Sequence, residues 1–213
     1  MGAVSGNLIG KITTEGTLKG TISLPDGFDM GYEAGQKAGY TEGYAAGEES
    51  RYVVEDELIA KTLTTYQNQR PVTIGNRMFS YCYNLVSVDL PNAVSVEQYA
   101  FTYCTALKKI VLPSATEIAP FAFQNCTNLT VADIWVANSL NSNAFSNTNL
   151  TTLILRRTDK ITTNGSTAMC TNTPIANGTG LIYVPDNLVE QYKAATNWKT
   201  YANQIKPLSE LEE

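Results

Sequence analysis

The chain contains no histidine, and this absence excludes several kinds of active site. Without imidazole there can be neither a Ser-His-Asp nor a Cys-His nucleophilic centre, and the commonest ligand for transition metals is missing. Carboxylate catalysis and calcium binding remain chemically open. Because paired Cys-x-x-Cys spacing is absent too, we expect no cofactor and no bound metal.

Charge and long apolar runs are also scarce. Only 16% of the residues are charged, the formal net charge is -5, and the lysines and arginines form no dense cluster, so we do not expect a nucleic acid partner. No run of about 20 apolar residues is present, so we expect no membrane insertion. Residues 1–6 have neither the basic nor the apolar stretch of a secretory signal, which is typical of a protein made in the cytoplasm.

What the chain does have is a repeat of 22 residues. Columns of phenylalanine, cysteine, leucine and proline keep this interval: Phe79, Phe101, Phe123 and Phe145; Cys82, Cys104 and Cys126; Leu85, Leu107 and Leu129; Pro91 and Pro113. A period of about 20 to 50 residues is typical of a solenoid, in which each repeat buries its apolar face against its neighbours. We therefore interpret the three column cysteines as reduced core thiols, while Cys170 lies outside the column and its role stays open.

Each repeat contains a short strand and a return turn. Residues 85–91 and 107–113 alternate inward apolar residues and end in proline, which predicts strands that stack in parallel. Residues 100–104 supply a helical or turn-like return whose Phe and Cys face the strands. Two repeats depart from the pattern, since Trp135 replaces the proline and Thr148 replaces the cysteine.

The flanking segments suggest three regions. Residues 1–27 form a β-rich anchor of two short Gly-bounded strands, or a flexible leader. Residues 28–57 are a Gly/Tyr-rich helical stalk or a flexible linker. Residues 58–213 form the solenoid, with an amphipathic helical cap at about 181–213 that closes its open end.

The stalk prediction depends on glycines spaced four residues apart. On a helix such glycines share one face, and each costs roughly 0.5–1 kcal/mol relative to alanine, so only close contact with other helices could stabilise it. This arrangement predicts a homo-oligomer, with a trimer favoured. The predicted contact residues are Gly31, Tyr32, Gly35, Gly39, Tyr40, Gly43, Tyr44 and Gly47.

The repeats resemble BspA-like leucine-rich repeats. The resemblance lies in Ile-Gly-x-x-x-Phe at residues 74–79, in Ala-Phe-x-x-Cys-x-x-Leu at 100–107 and 122–129, and in the strand-ending proline; it covers roughly residues 60–207. It implies a fold of class α/β, a leucine-rich-repeat solenoid, and a non-enzymatic attachment function. Members include bacterial surface adhesins and, where Gly-Tyr-rich segments precede the repeats, tail-associated proteins of phages and prophages, which this chain resembles more.

The resemblance therefore implies a virion protein of a phage tail, made in the bacterial cytoplasm, that binds a glycan or protein receptor on the host cell surface. Its N-terminus would contact other tail or baseplate proteins. Aromatic and amide side chains on the turns are suited to such contacts. The candidate ligand-binding residues are Tyr81, Tyr83, Asn84, Tyr99, Tyr103, Asn125, Asn128 and Trp135.

Two other functions remain as alternatives. A bacterial cell-surface adhesin would share the solenoid but would require an export signal and an anchor. A glycan hydrolase would require paired carboxylates, and the acidic residues of the repeats are scattered over several columns: Asp89, Glu97, Glu117 and Asp133.

Overall fold

A computed structural model describes residues 7–12, 18–23, 29–34, 63–159, 162–165 and 169–212. In this part of the chain, none of the helices has the length and apolarity needed to span a membrane.

The N-terminal residues form an antiparallel sheet of three strands in sequence order. These strands are β1 (Asn7–Ile12), β2 (Leu18–Ser23) and β3 (Asp29–Ala34). The first two strands are those predicted for the leader, whereas β3 was not predicted.

Strand β3 corrects the expectation of a helix at its own residues. Gly31 and Tyr32 pair in register with Thr21 and Gly20 of β2. Pairing with β2 gives the backbone groups of these residues hydrogen-bonding partners within the same chain, so no neighbouring helix is needed. The other predicted stalk residues, from Gly35 to Gly47, lie outside the described residues.

The described part of the solenoid starts at residue 63, and the parallel strands along its first side are divided between a two-stranded and a five-stranded sheet. Strand β4 (Thr65–Gln67) pairs with β6 (Ser87–Asp89). A five-stranded parallel sheet then follows in the spatial order β15-β14-β12-β10-β8. Its strands are β8 (Lys109–Leu112), β10 (Val131–Ile134), β12 (Thr152–Leu155), β14 (Leu181–Val184) and β15 (Ile205–Pro207). The predicted stacking of parallel strands is confirmed.

A second parallel sheet, which we did not predict, forms another side of the solenoid. It has the order β13-β11-β9-β7-β5. Its strands are β5 (Val72–Ile74), β7 (Ala93–Val96), β9 (Glu117–Ile118), β11 (Ser139–Leu140) and β13 (Thr163–Asn164). The strands are only two to four residues long, too short for an alternating pattern to be distinguished from a turn.

The phenylalanine column fills the interior beneath the return turns. Rings of successive turns are stacked with centroids 5.0, 5.1 and 5.3 Å apart, from Phe79 through Phe101 and Phe123 to Phe145. All four side chains are fully buried. Each buried ring contributes on the order of 1.5–3 kcal/mol, so this column is a major source of stability.

The cysteines are core residues, as predicted for the column. All four are buried and unpaired with one another. The Cys104 and Cys126 thiols donate to the carbonyls of Phe79 and Phe101 of the preceding turn, at 3.0 Å in both cases. Burial raises the pKa of the Cys82 thiol to about 12, so this thiol stays protonated at neutral pH.

The last turns substitute threonine for the column cysteine. Thr148 donates to the Phe145 carbonyl at 2.8 Å, and Thr173 donates to the Cys170 carbonyl at 2.6 Å. The repeated geometry places Cys170 in the phenylalanine column rather than the cysteine column. Its burial answers the question left open by the sequence.

The C-terminal cap contains less helix than predicted. Helix α1 (Val189–Ala194) is followed by a 3-10 turn at Lys199–Tyr201. The helix ends at Ala195, whose backbone is extended with a ψ of 146°, and Asn197 follows in the left-handed conformation with a φ of 66°. Ile205, which we expected on the helix, is instead the first residue of β15, whose pairing with β14 continues the sheet.

Two aromatic residues of the cap form hydrogen bonds with the backbone of Thr162, between β12 and β13. The Thr162 backbone N–H donates to the Tyr192 hydroxyl at 2.8 Å, and the Trp198 indole N–H donates to the Thr162 carbonyl at 2.7 Å. Tyr192 and Trp198 are fully buried. The cap therefore provides partners for buried backbone groups that no strand pairing reaches.

Candidate binding surface

One edge of the solenoid carries a column of residues in the left-handed conformation. We call it the Tyr/Asn column. Its members have φ values between 57° and 64° and occupy equivalent positions in successive turns: Tyr81, Tyr103, Asn125, Asn147 and Asn172.

The left-handed conformation follows from the hydrogen bonding between turns. The Tyr81 N–H donates to the Thr102 carbonyl at 2.8 Å, and the Tyr103 N–H donates to the Gln124 carbonyl at 2.9 Å. Asparagine tolerates this conformation, whereas a bulky residue pays about 1–2 kcal/mol for it. The column thus carries asparagine, which tolerates the left-handed conformation, in its last three turns. Its first two turns carry tyrosine, for which this conformation is unfavourable.

Three tyrosines form an exposed cluster at the first turns of this column, which we call the aromatic patch. The rings of Tyr81 and Tyr103 are stacked, with centroids 5.0 Å apart and planes 11° from parallel. The ring of Tyr83 lies 6.1 Å from that of Tyr81 at 60°. Their exposed fractions are 48% for Tyr81, 41% for Tyr83 and 38% for Tyr103. Sequence analysis selected all three, and the structure brings them together.

The later members of the column form an amide ladder. The Asn147 Nδ2 donates to the Asn125 Oδ1 at 2.9 Å, and the Asn172 Nδ2 donates to the Asn147 Oδ1 at 2.8 Å. Asn125 was a predicted site residue, whereas Asn147 and Asn172 were missed. The signal for Asn147 was available, because it follows Asn125 by 22 residues.

Two further candidates lie beside the column. Asn84 and Asn128 are exposed and share one position of the repeat. The Asn128 Nδ2 donates to the Thr105 carbonyl at 2.8 Å, which fixes its amide against the preceding turn. Both residues therefore border the aromatic patch and the amide ladder.

Tyr99 belongs to a different left-handed column. Its ring is stacked on that of Phe121 with centroids 5.0 Å apart, and the Arg77 guanidinium lies 5.2 Å from its centroid on a neighbouring turn. Asn143 is the fourth left-handed residue of this column. Tyr99 is half-buried, so it is a weaker candidate than the three tyrosines of the aromatic patch.

Trp135 lies at another corner of the solenoid, directly after β10. Its ring is 44% exposed and lies 5.8 Å from the Arg156 guanidinium. Arg156 binds Asp133 through two hydrogen bonds of 2.8 and 3.0 Å. Trp135 therefore has charged neighbours, in contrast to the tyrosines of the aromatic patch.

The turns that carry the Tyr/Asn column contain no charged residue. Residues 79–85, 101–107, 123–129, 145–150 and 169–175 have no Asp, Glu, Lys or Arg, and the exposed Lys108 and Lys109 directly follow one of these turns. The carboxylates occur elsewhere, and Glu97 and Glu117 line a shallow groove beside the second sheet. Among the described residues, no group of three or more His, Cys, Asp or Glu side chains is placed to hold a metal ion.

Fold and surface together define a repeat-built parallel solenoid that displays columns of side chains. Compared with known protein families, residues 62–175 match six copies of the BspA type leucine rich repeat region, over more than half of the chain. The chain belongs to the BspA-type leucine-rich repeat family. No curated protein matches it.

Proposed function

We propose that this chain is a non-enzymatic attachment protein whose solenoid binds a ligand on a cell surface through the aromatic patch. BspA-type repeats suggest a binding or adhesin role, and a leucine-rich-repeat solenoid is typically a binding scaffold. Fold alone does not fix the ligand, so the assignment of the surface depends on its side chains.

The observation that carries the proposal is the clustering of three exposed tyrosines at the first turns of the Tyr/Asn column. The left-handed conformation costs about 1–2 kcal/mol for a tyrosine, but Arg77, Tyr99 and Phe121 of the other column share it. Exposure and clustering therefore distinguish the aromatic patch. Exposed, clustered tyrosines are also suited to recognition because they offer a large rigid surface and a hydroxyl.

The finer form of the proposal places the protein in a phage tail. It is supported by the Gly-Tyr segment between the leader and the repeats, and by the resemblance to tail-associated proteins with such a segment. In this form the N-terminus binds other tail or baseplate proteins, and the Gly/Tyr segment joins copies into a homo-oligomer, with a trimer favoured. Several solenoids on one particle would then convert weak single contacts into strong attachment.

A bacterial cell-surface adhesin is the second candidate, favoured by the family itself. Both candidates use the same aromatic patch, so they differ in location rather than in chemistry. Immunogold labelling separates them: label on the tails of purified virions supports the phage form, and label on the surface of intact producing cells supports the adhesin.

The binding function is tested with the full chain on a panel of bacterial cells. We expect saturable binding to some strains, reduced at least about tenfold by Tyr83→Ser because an exposed aromatic residue is lost from the patch. Val94→Ser is the matched control, since Val94 is exposed on β7 of the second sheet. Equal binding by the two variants and the unsubstituted chain would contradict the assignment of the patch, and absence of binding to every strain would contradict the attachment function.

A further inference from the structure

We infer that the ligand of the Tyr/Asn column is a neutral, linear glycan that lies along the solenoid axis and contacts several turns at once. This inference rests on the proposed attachment function and names the chemical class of its ligand. It follows from three properties of the column: charge, spacing and hydrogen-bonding capacity.

The charge of the edge argues for a neutral ligand. The turns of the column, residues 79–85, 101–107, 123–129, 145–150 and 169–175, carry no ionisable acid or base other than tyrosine and buried cysteine. An anionic polymer is bound mainly through lysine and arginine, and its affinity falls steeply as salt rises. A surface of phenol, amide and hydroxyl groups is suited instead to a polyhydroxyl chain, which forms hydrogen bonds with these groups.

The spacing argues for a linear chain of repeated units. Ring centroids one turn apart are separated by 5.0 Å at Tyr81 and Tyr103, and by 5.3 Å at Phe123 and Phe145. This separation is set by strand pairing, whose spacing is about 4.7–4.9 Å. One sugar unit of an extended pyranose chain has nearly the same length. A glycan aligned with the axis therefore meets an equivalent side chain at each unit, and the register is kept across the column.

The amide ladder continues the surface in the same direction as the aromatic patch. Asn147 uses one N–H toward Asn125 and one oxygen lone pair toward Asn172. An amide has two N–H donors and two lone pairs, so each ladder amide retains hydrogen-bonding capacity for a ligand. Asn172 is exposed, and Asn125 and Asn147 are half-buried. The ladder also fixes the amide orientation, which lowers the entropic cost of binding.

The arrangement predicts that affinity depends on glycan length. Each turn contributes a weak contact, and contacts by linked units act together. The column has five left-handed positions. Affinity should therefore rise with each added sugar and level off once the chain spans the column.

The test measures binding of the full chain to neutral linear oligosaccharides of one to eight units, built from glucose, galactose or N-acetylglucosamine, with polyphosphate and polygalacturonate as anionic probes. We expect at least one neutral series to gain about tenfold or more in affinity from monomer to pentamer and then to level off. We expect this affinity to change less than about twofold between about 50 and about 200 mM salt.

A substitution in the ladder tests the alignment. Asn147→Gly keeps the left-handed backbone and removes the amide, so the gain with length should stop at shorter oligosaccharides. Asn143→Gly is the matched control, because Asn143 is left-handed but lies in the column of Tyr99. An unchanged length dependence in Asn147→Gly would contradict the alignment along the column.

The remaining outcomes separate this inference from the proposed function. Equal affinity for monomer and pentamer overturns the linear ligand, and stronger, salt-sensitive binding of an anionic probe overturns the neutral one. If cells are bound through Tyr83 but no neutral oligosaccharide is, the glycan inference fails and the attachment function stands. If no cells are bound either, the attachment function itself fails.

Discussion

The phenol rings of Tyr81 and Tyr103 are stacked at equivalent positions of adjacent turns, 5.0 Å apart and 11° from parallel. Both residues are left-handed, and both are exposed. A buried stack of this kind is explained by packing, as in the phenylalanine column. The exposed stack, with Tyr83 beside it, is better explained by binding, because exposed tyrosine clusters are suited to recognition.

Replacing the stacked tyrosines by asparagine should leave the fold intact. In Tyr103→Asn the backbone stays left-handed, and because asparagine tolerates this conformation the folded chain gains about 1–2 kcal/mol of stability. Loss of the aromatic stack lowers stability by about 0.5–1.5 kcal/mol. The free energy of unfolding, measured by urea denaturation, should therefore stay within about 1 kcal/mol of the unsubstituted chain. A loss above about 3 kcal/mol would show that Tyr103 is retained for stability.

The phenylalanine column should be the most sensitive part of the core. Phe101 is fully buried between Phe79 and Phe123, so Phe101→Ala should lower the free energy of unfolding by about 3–5 kcal/mol. Tyr83→Ala, at an exposed tyrosine, serves as the control and should change it by about 0.5 kcal/mol or less. A similar loss for both variants in urea denaturation would contradict the assignment of the core.

Because its cysteine thiols are buried, the folded protein should lose stability in alkali. Burial raises the pKa of Cys82 from its ordinary value of 9.0 to about 12. The pKa of Cys104 is also raised, first by burial and then by its neighbour Cys126. Between pH 9 and the raised pKa values the unfolded chain loses protons that the folded chain keeps, so stability is full below pH 9 and falls as pH rises.

Urea denaturation from pH 7 to pH 11 measures this loss, and Cys104→Thr should make it shallower. Threonine already occupies the equivalent position at Thr148 and Thr173, so this variant should fold. The same thiols should resist alkylation in the folded chain at neutral pH and react once it is unfolded. Rapid alkylation of the folded chain would contradict their burial.

The cap should depend on the Tyr192 hydroxyl. Tyr192→Phe leaves the buried Thr162 N–H without its acceptor, at a cost of about 1–3 kcal/mol in urea denaturation. Tyr183→Phe is the control, because Tyr183 is only half-buried on β14. An equal effect of the two substitutions would contradict the role of the Tyr192 hydroxyl in holding the backbone at Thr162.

Much of the solenoid could be predicted from the sequence, because residues such as Phe101 and Cys104 recur where the core requires the same side chain in every turn. The second sheet could not, since its strands are so short that Val96 and Ile118 show no alternation. Ile205 was misassigned because its spacing from Trp198 is helical, whereas the chain between them forms only the 3-10 turn at Lys199–Tyr201. Local spacing cannot show that pairing with β14 is the more favourable arrangement.

The binding surface was predicted in part. Tyr81, Tyr83 and Tyr103 were selected for their chemistry, and the 22-residue interval brings them together. Tyr99 was selected on the same grounds, but it lies four residues before Tyr103 and therefore belongs to another column. Neither the left-handed conformation nor the amide ladder can be read from residue type, because both arise from hydrogen bonds between turns.

The most direct test of this account measures cell binding and the free energy of unfolding on one variant, Tyr81→Asn combined with Tyr103→Asn. The control is Phe121→Asn, which makes the same kind of change at a left-handed position outside the aromatic patch. We predict that the double variant folds with stability within about 2 kcal/mol of the unsubstituted chain and loses at least about tenfold in cell binding, while the control binds normally. A double variant that binds cells as well as the unsubstituted chain would contradict the account.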